Sequence, residues 1–159
     1  MGSYTPGLGC WVWACYRGKH NLTLQVIITY IPCITNSRGV QTNYRQHQRY
    51  IDRKKYDRLP IQSILEDLCT YISQWRDLGS QIVLMIDLNE NITSDTVTEL
   101  FVNVGLVEAI TNHHCDTGLV LTYQRVSHPI DGTYTSITLQ ISAGGYLPFG
   151  SIPSDHRLL

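Results

Sequence analysis

Apolar and polar residues alternate along the first part of the chain in a way that predicts a β-hairpin. Residues 11–16 alternate aromatic and small side chains, and residues 22–31 are mostly apolar and β-branched. The sequence between them, Gly18-Lys19-His20-Asn21, is typical of a turn. We therefore expect two antiparallel strands, the second of which ends at Pro32.

Two helices are predicted next. Thr42 suits the N-cap of a polar, basic helix over residues 43–57, and Pro60 suits the first turn of a second helix that Gly79 ends. The second helix has apolar residues at the spacing of a core-facing stripe. These residues are Ile61, Ile64, Leu65, Leu68, Tyr71, Ile72 and Trp75.

The rest of the chain predicts mainly strands. Residues 81–86 form a continuous apolar run, which is typical of a strand buried on both faces. Thr93 or Ser94 could cap a short helix through Val104. Further strands are predicted at residues 106–110, 121–124, 130–136 and 137–141. Strands both before and after helices favour a layered α/β sandwich over an alternating βαβ arrangement.

Composition and length indicate one soluble domain over residues 1–159. The chain is 43% hydrophobic and 16% charged, as expected of a protein with a buried core. No apolar run approaches the roughly 20 residues of a membrane span, and the first residues do not resemble a signal peptide. Five scattered cysteines without a C-x-x-C pair fit a reducing compartment. We expect an intracellular protein, cytoplasmic or nuclear, that is not secreted and has no membrane or obligate protein partner.

The charge of the chain is small but unevenly distributed. A net charge of −1 argues against attachment to nucleic acid by overall charge. Basic residues nevertheless crowd into one short stretch, at Arg45, Arg49, Arg53, Lys54, Lys55 and Arg58. This stretch is either a solvated helix face or a surface that contacts phosphates, and the sequence leaves both interpretations open.

Three polar clusters follow predicted strands directly. They are Asp87-Leu88-Asn89, Ile130-Asp131-Gly132 and Ser154-Asp155-His156. A strand end is a rigid support for a catalytic carboxylate, although each cluster alone is more typical of a turn or a helix cap. Together they offer oxygen ligands suited to Mg²⁺ and a histidine that a carboxylate could orient.

With Thr29-Tyr30-Ile31-Pro32 ahead of them, these motifs resemble the endonuclease/exonuclease/phosphatase superfamily, which includes apurinic-site endonucleases, DNase I and the endonucleases of non-LTR retroelements. The family pattern is a Tyr-x-Pro strand, Gly-Asp-x-Asn, Ile-Asp and a terminal Ser-Asp-His. All four occur here in order, with Ile86 in place of the glycine. The stretch from Tyr30 through Tyr44-Arg45-Gln46 also resembles retroelement-type members. The resemblance implies a DNase I-like α/β (α+β) sandwich of two mixed β-sheets flanked by helices.

The resemblance also implies roles for individual residues. Asp87 would orient or deprotonate the attacking water, and Asn89 would hold that water or the phosphate. His156 would hydrogen-bond a non-bridging phosphate oxygen, with Asp131 fixing its tautomer. The hydroxyl of Tyr30 would lie near the phosphate or the leaving oxygen.

Two more residues complete the predicted site. Asp155 would contribute to a Mg²⁺ site, with Mn²⁺ as an alternative metal, and the metal would neutralise the phosphate. Arg125, which precedes the Ile-Asp motif, is a candidate for phosphate contact. The other histidines lack such a context and are interpreted as loop residues: His20, His47, His113, His114 and His128.

The chain departs from the family pattern at both ends. The family pattern begins with a strand that ends in Asn, followed by a metal-binding Glu. Both should precede Trp11, but this chain has only ten residues before Trp11. Leu159 falls inside the expected closing strand. The sequence therefore predicts a partial domain with open sheet edges and with weak or absent catalysis.

The predicted function is that of a Mg²⁺-dependent phosphodiester hydrolase, an endonuclease with DNA as its nucleic-acid substrate. A phosphatase or lipid phosphodiesterase of the same fold is an alternative, because these enzymes share their core chemistry and differ in their loops. A non-catalytic binding module or a decayed copy is a further alternative.

Overall fold

The computed structural model describes residues 1–3, 10–34, 42–113 and 120–157. Within them, six strands form one mixed sheet in the order β1-β2-β3-β4-β6-β5. The strands are β1 Gly2–Ser3, β2 Trp11–Arg17, β3 Thr23–Tyr30, β4 Ser80–Asp87, β5 Leu106–Glu108 and β6 Asp131–Ser136. The helices are α1 Asn43–Lys54, α2 Pro60–Asp77, α3 Asp95–Asn103 and α4 Ala109–His113.

The strand pairing confirms a mixed α/β architecture. Strands β2 and β3 form the predicted antiparallel hairpin. Strand β4 then lies parallel to β3, and the intervening chain contains α1 and α2. Strand β6 pairs antiparallel with β4 on its other side. The described residues thus contain one sheet with helices, and the second sheet of the expected sandwich is not found among them.

The core lies between one face of this sheet and the helices α2 and α3. Alternate residues of β3 and β4 point into it: Ile27, Ile82 and Leu84 are fully buried. Burying a side chain of this size contributes about 1.5–3 kcal/mol. On the α2 side, Leu68 and Ile72 complete the packing. The apolar stripe predicted for this helix is therefore the surface that closes the core.

The opposite face of the sheet, which we call the open face, is only partly covered. Val12 and Ile28, neighbours on β2 and β3, are 49% and 55% exposed. Val83 and Met85 of β4 are half-buried on the same face. The prediction that β4 is buried on both faces was therefore wrong, because the described helices pack against one side of the sheet.

Local hydrogen bonds explain where the helices begin and end. Thr42 Oγ1 accepts the Arg45 N–H at 3.3 Å, and Ser94 Oγ accepts the Val97 N–H at 3.4 Å, so both predicted N-caps are present. Helix α1 ends at Lys54, earlier than predicted, because Lys55 adopts a left-handed conformation with φ 57°. No helix in the described ranges is both long and apolar enough to cross a membrane.

Three predicted strand segments differ in the structure. The segment 106–110 divides into β5 and α4, because the Glu108 carboxylate accepts the Thr111 N–H at 2.5 Å and starts a helix. Residues 137–141 form no strand: a turn begins after β6, and the Leu139 N–H closes it on the Ser136 carbonyl at 2.8 Å. In the segment 121–124, only Tyr123 forms a β-bridge, and its partner is His156.

Candidate active site

The site lies where three strands end side by side on the open face. Tyr30, the last residue of β3, pairs with Asp87, the last residue of β4. Asp87 pairs on its other side with Asp131, the first residue of β6. Residues paired across neighbouring strands point to the same face of a sheet. The register alone therefore brings a phenol and two carboxylates into one row.

His156 joins this row through Asp131. Its imidazole Nδ1 lies 2.9 Å from Asp131 Oδ2 and 3.2 Å from Oδ1, so the predicted carboxylate–imidazole pair is present. The ring also stacks on Tyr123, with ring centroids 4.6 Å apart. A carboxylate on Nδ1 leaves Nε2 as the nitrogen that can face a substrate.

Thr122 fixes the position of Asp131, a role that the sequence did not indicate. Thr122 is fully buried, and its Oγ1 accepts the backbone N–H groups of Ile130 at 2.9 Å and Asp131 at 3.0 Å. The Thr122 carbonyl accepts the Arg157 N–H at 2.7 Å. One threonine therefore holds both the start of β6 and the segment that carries His156.

Asn89 connects the loops that follow β3 and β4. Its side-chain amide donates to the Ile31 carbonyl at 2.8 Å, and its backbone N–H donates to Asp87 Oδ1 at 3.1 Å. Asn89 has φ 54°, a left-handed conformation that asparagine tolerates better than most residues. The Asp-x-Asn motif thus has a structural role in orienting the Asp87 carboxylate.

The electrostatics of the row are those of closely spaced acids. Burial, and then the like charge of Asp131, raise the pKa of Asp87 to about 6, while the Asn89 N–H and the His156 imidazole act in the opposite direction. Burial and the negative charges of Cys33 and Asp87 also raise the pKa of Tyr30. The Tyr30 hydroxyl is therefore protonated at neutral pH and can donate a hydrogen bond.

The donor set fits a divalent cation. One ligand atom each from Asp87, Asp131 and His156 lies within 4.8 Å of the other two. Two carboxylates at this separation repel each other, as the pKa of Asp87 shows, and a bound cation would relieve that repulsion. The fit thus rests on the spacing and on the chemistry of these ligands.

Two of the predicted site residues lie apart from this cluster. Asp155 Oδ2 lies 3.5 Å from Arg125 Nη2, and the two side chains are 42% and 76% exposed. The structure therefore brings Asp155 and Arg125 to each other rather than into the cluster of Asp87, Asp131 and His156. An exposed pair of this kind contributes about 0–1 kcal/mol, so it can open without much cost.

A groove along the open face leads to the row. It has a volume of about 490 Å³, and Val12, Ile28 and Met85 line it together with Tyr30 and Asp87. Its lining also includes Asp131 and Arg157.

Arg157 is the residue of this groove that the sequence reasoning missed. Its guanidinium lies over the Phe149 ring at 4.3 Å, and its buried Nε has no hydrogen-bond partner among the described residues. Because Arg157 also lines the groove, its guanidinium is the cation nearest to an anion bound there. The signal available in the sequence was a cation directly after the Ser-Asp-His motif.

The chain resembles known proteins among solved structures only. No family model matches the chain, and no curated protein matches it. Among solved structures, the human Nocturnin catalytic domain with a bound sulfate anion is similar, at 13% sequence identity and a TM-score of 0.49. The match covers 80% of this chain and 41% of the Nocturnin chain, so this chain corresponds to less than half of that domain.

Proposed function

We propose that this protein is a metal-dependent phosphodiester hydrolase of the endonuclease/exonuclease/phosphatase superfamily, and that it acts on DNA as an endonuclease. The observation that carries the proposal is the convergence of Asp87, Asp131 and His156 at adjoining strand ends. Tyr30 and Asn89 lie beside them in the order that the family motif predicts. The retroelement placement rests on the sequence resemblance alone.

The metal would be held by carboxylate oxygens. Asp87 and Asp131 would bind a divalent cation, with Asp155 as the further predicted ligand once its ion pair with Arg125 opens. The oxygen-rich donor set favours Mg²⁺, with Mn²⁺ as an alternative. When bound, the cation would neutralise the phosphate and stabilise the leaving oxygen.

The side chains around the phosphate would divide the remaining work. Asp87 would orient the attacking water and accept its proton. His156 would hydrogen-bond a non-bridging phosphate oxygen through Nε2, with its Nδ1 held on the Asp131 carboxylate. Tyr30 would donate to the leaving oxygen, and Arg157 would donate to the phosphate from the wall of the groove.

The test is nicking of supercoiled plasmid DNA in Mg²⁺ at pH 7.5. We expect the wild type to nick the plasmid, and Asp87→Asn and His156→Gln each to reduce the rate at least roughly 10²-fold, the scale of a lost acid–base group. Asp95→Asn, which changes an exposed carboxylate in the first turn of α3, is the matched control and should nick like the wild type. Nicking that survives both substitutions, or that continues in EDTA, would contradict the proposal.

The same variants separate the alternatives. A phosphatase would hydrolyse 4-nitrophenyl phosphate faster than bis(4-nitrophenyl) phosphate, and a lipid phosphodiesterase would cleave phospholipid vesicles but not plasmid. A binding module or a decayed copy would cleave none of these substrates in any metal. The groove favours a diester, because its lining extends from Val12 and Ile28 past Asp87 to Arg157.

A further inference from the structure

Helix α1 carries three arginines in a row on its exposed side. Arg45, Arg49 and Arg53 are exposed and four residues apart, so the helical repeat places them on one face. None of them forms an ion pair with another residue of the described ranges. We call this row the arginine stripe. The one acid of the helix, Asp52, is held on its flank by the Gln48 side chain at 2.9 Å.

The opposite side of α1 is anchored, so the stripe has a fixed direction. His47 and Ile51 are each 2% exposed and lie one turn apart on the inner side. His47 Nε2 lies 2.8 Å from Cys10 Sγ, and Thr42 caps the helix start. The interpretation of His47 as a loop residue was therefore wrong: it is a buried contact between α1 and the sheet.

The same contact places α1 at the end of the sheet that carries the candidate active site. Cys10 lines the groove, and its carbonyl accepts the Tyr30 N–H at 2.8 Å. Tyr30 in turn lies beside Asp87. Cys10 and Tyr30 therefore link the inner side of α1, opposite the stripe, to the site.

The dimensions of the stripe match those of a nucleic-acid backbone. The eight residue steps from Arg45 to Arg53 rise about 12 Å. Phosphates of one strand of B-DNA advance about 3.4 Å each along the duplex axis, so a stripe parallel to that axis covers the rise of three to four of them. Arginine binds phosphate with paired N–H donors, and a local basic row can bind an anionic strand although the whole chain has a net charge of −1.

We propose that the arginine stripe binds the phosphate backbone of a DNA strand that extends beyond the groove, and thereby adds affinity for the substrate of the candidate active site. The choice of DNA rests on the proposed function, but binding by the stripe can be measured without any cleavage. The stripe would contribute affinity for any sequence, because it contacts phosphates and not bases.

The test is the salt dependence of binding to a fluorescein-labelled 20-base-pair DNA duplex, measured by anisotropy in EDTA. The stripe variant is Arg45→Gln with Arg49→Gln, and glutamine retains high helix propensity, so α1 should remain folded by circular dichroism. The matched control is Arg17→Gln with Lys19→Gln, which removes two exposed charges at the far end of the β2–β3 hairpin.

We expect the stripe variant to bind roughly tenfold more weakly and its slope of log K against log salt to be shallower by about 1.8, the value for two lost phosphate contacts. The control should bind like the wild type. Equal affinity and slope for the stripe variant and the wild type would overturn the proposal, as would equal losses in the control or a wild type that does not bind.

The two proposals fail separately. Stripe-dependent binding by a wild type that never cleaves in Mg²⁺ would support the stripe and contradict the endonuclease function. Cleavage by a wild type whose DNA affinity does not depend on the stripe would overturn the stripe alone.

Discussion

Thr122 gives the sharpest test of how the site is built. In Thr122→Val the shape of the side chain is kept, but the oxygen that accepts the N–H groups of Ile130 and Asp131 is lost. Thr122 is fully buried, so water cannot replace that oxygen without opening the structure. Each buried donor left without a partner costs about 1–3 kcal/mol, and we expect a total loss of about 2–4 kcal/mol in the free energy of unfolding.

The control is Thr122→Ser, which keeps the hydroxyl and removes one methyl group, at a cost of about 1 kcal/mol. Urea denaturation followed by tryptophan fluorescence measures both variants, since Trp11, Trp13 and Trp75 pack around the core. A valine variant no less stable than the serine variant would refute the reasoning. A domain has only about 5–15 kcal/mol of stability, so the expected difference is well within reach of the assay.

Three further predictions concern the row and its surroundings. Because the pKa of Asp87 is about 6 in the folded protein against 3.8 for the free side chain, the metal-free protein should lose stability as the pH rises from about 4 to about 6. Allowing for partial exposure, the loss in the free energy of unfolding is about 1–2 kcal/mol, and it should be absent in Asp87→Asn. Urea denaturation midpoints in EDTA at several pH values measure it. Midpoints that change with pH equally in the wild type and in Asp87→Asn would contradict the prediction. Gly132→Ala would place a methyl group 3.0 Å from Ile92 Cδ1, so it should lower the free energy of unfolding by about 1–3 kcal/mol in the same assay. Gly18→Ala is the control: the nearest atom to its methyl group would be 3.6 Å away, and the loss should be smaller. Arg157→Gln should lower kcat/KM for DNA cleavage by roughly tenfold or more through loss of a charged donor to the phosphate, and unchanged kinetics would remove Arg157 from the site.

Long and regular patterns made much of the fold predictable from the sequence. The hairpin, the start of α2 at Pro60 and the cap of α3 at Ser94 follow from turn residues, proline and capping chemistry, each of which acts within a few residues. The family resemblance placed Asp87, Asn89, Asp131, Asp155 and His156 in one site. Asp87, Asp131 and His156 do converge, whereas Asp155 pairs with Arg125.

Contacts between distant residues were beyond the sequence. Thr122 Oγ1 accepts hydrogen bonds from two backbone N–H groups that lie eight and nine residues further along the chain. His47 contacts Cys10, which is 37 residues away in the sequence. Residues 137–141 have strand-like composition but form no strand, because a hydrogen bond from Leu139 to Ser136 competes with strand pairing. Partners outside the local segment decided the first two contacts, and a hydrogen bond between near neighbours decided the third; residue propensity revealed none of them.

The central claim is that Asp87 and Asp131 hold a divalent cation beside His156, and Mn²⁺-induced broadening of histidine imidazole signals in NMR spectra tests it most directly. We predict that substoichiometric Mn²⁺ broadens the His156 signals selectively and that Asp87→Asn abolishes the effect. His20, in the turn at the opposite end of the sheet, should stay sharp and serves as the internal control. A His156 signal that stays as sharp as that of His20, or that broadens equally in Asp87→Asn, would contradict the account.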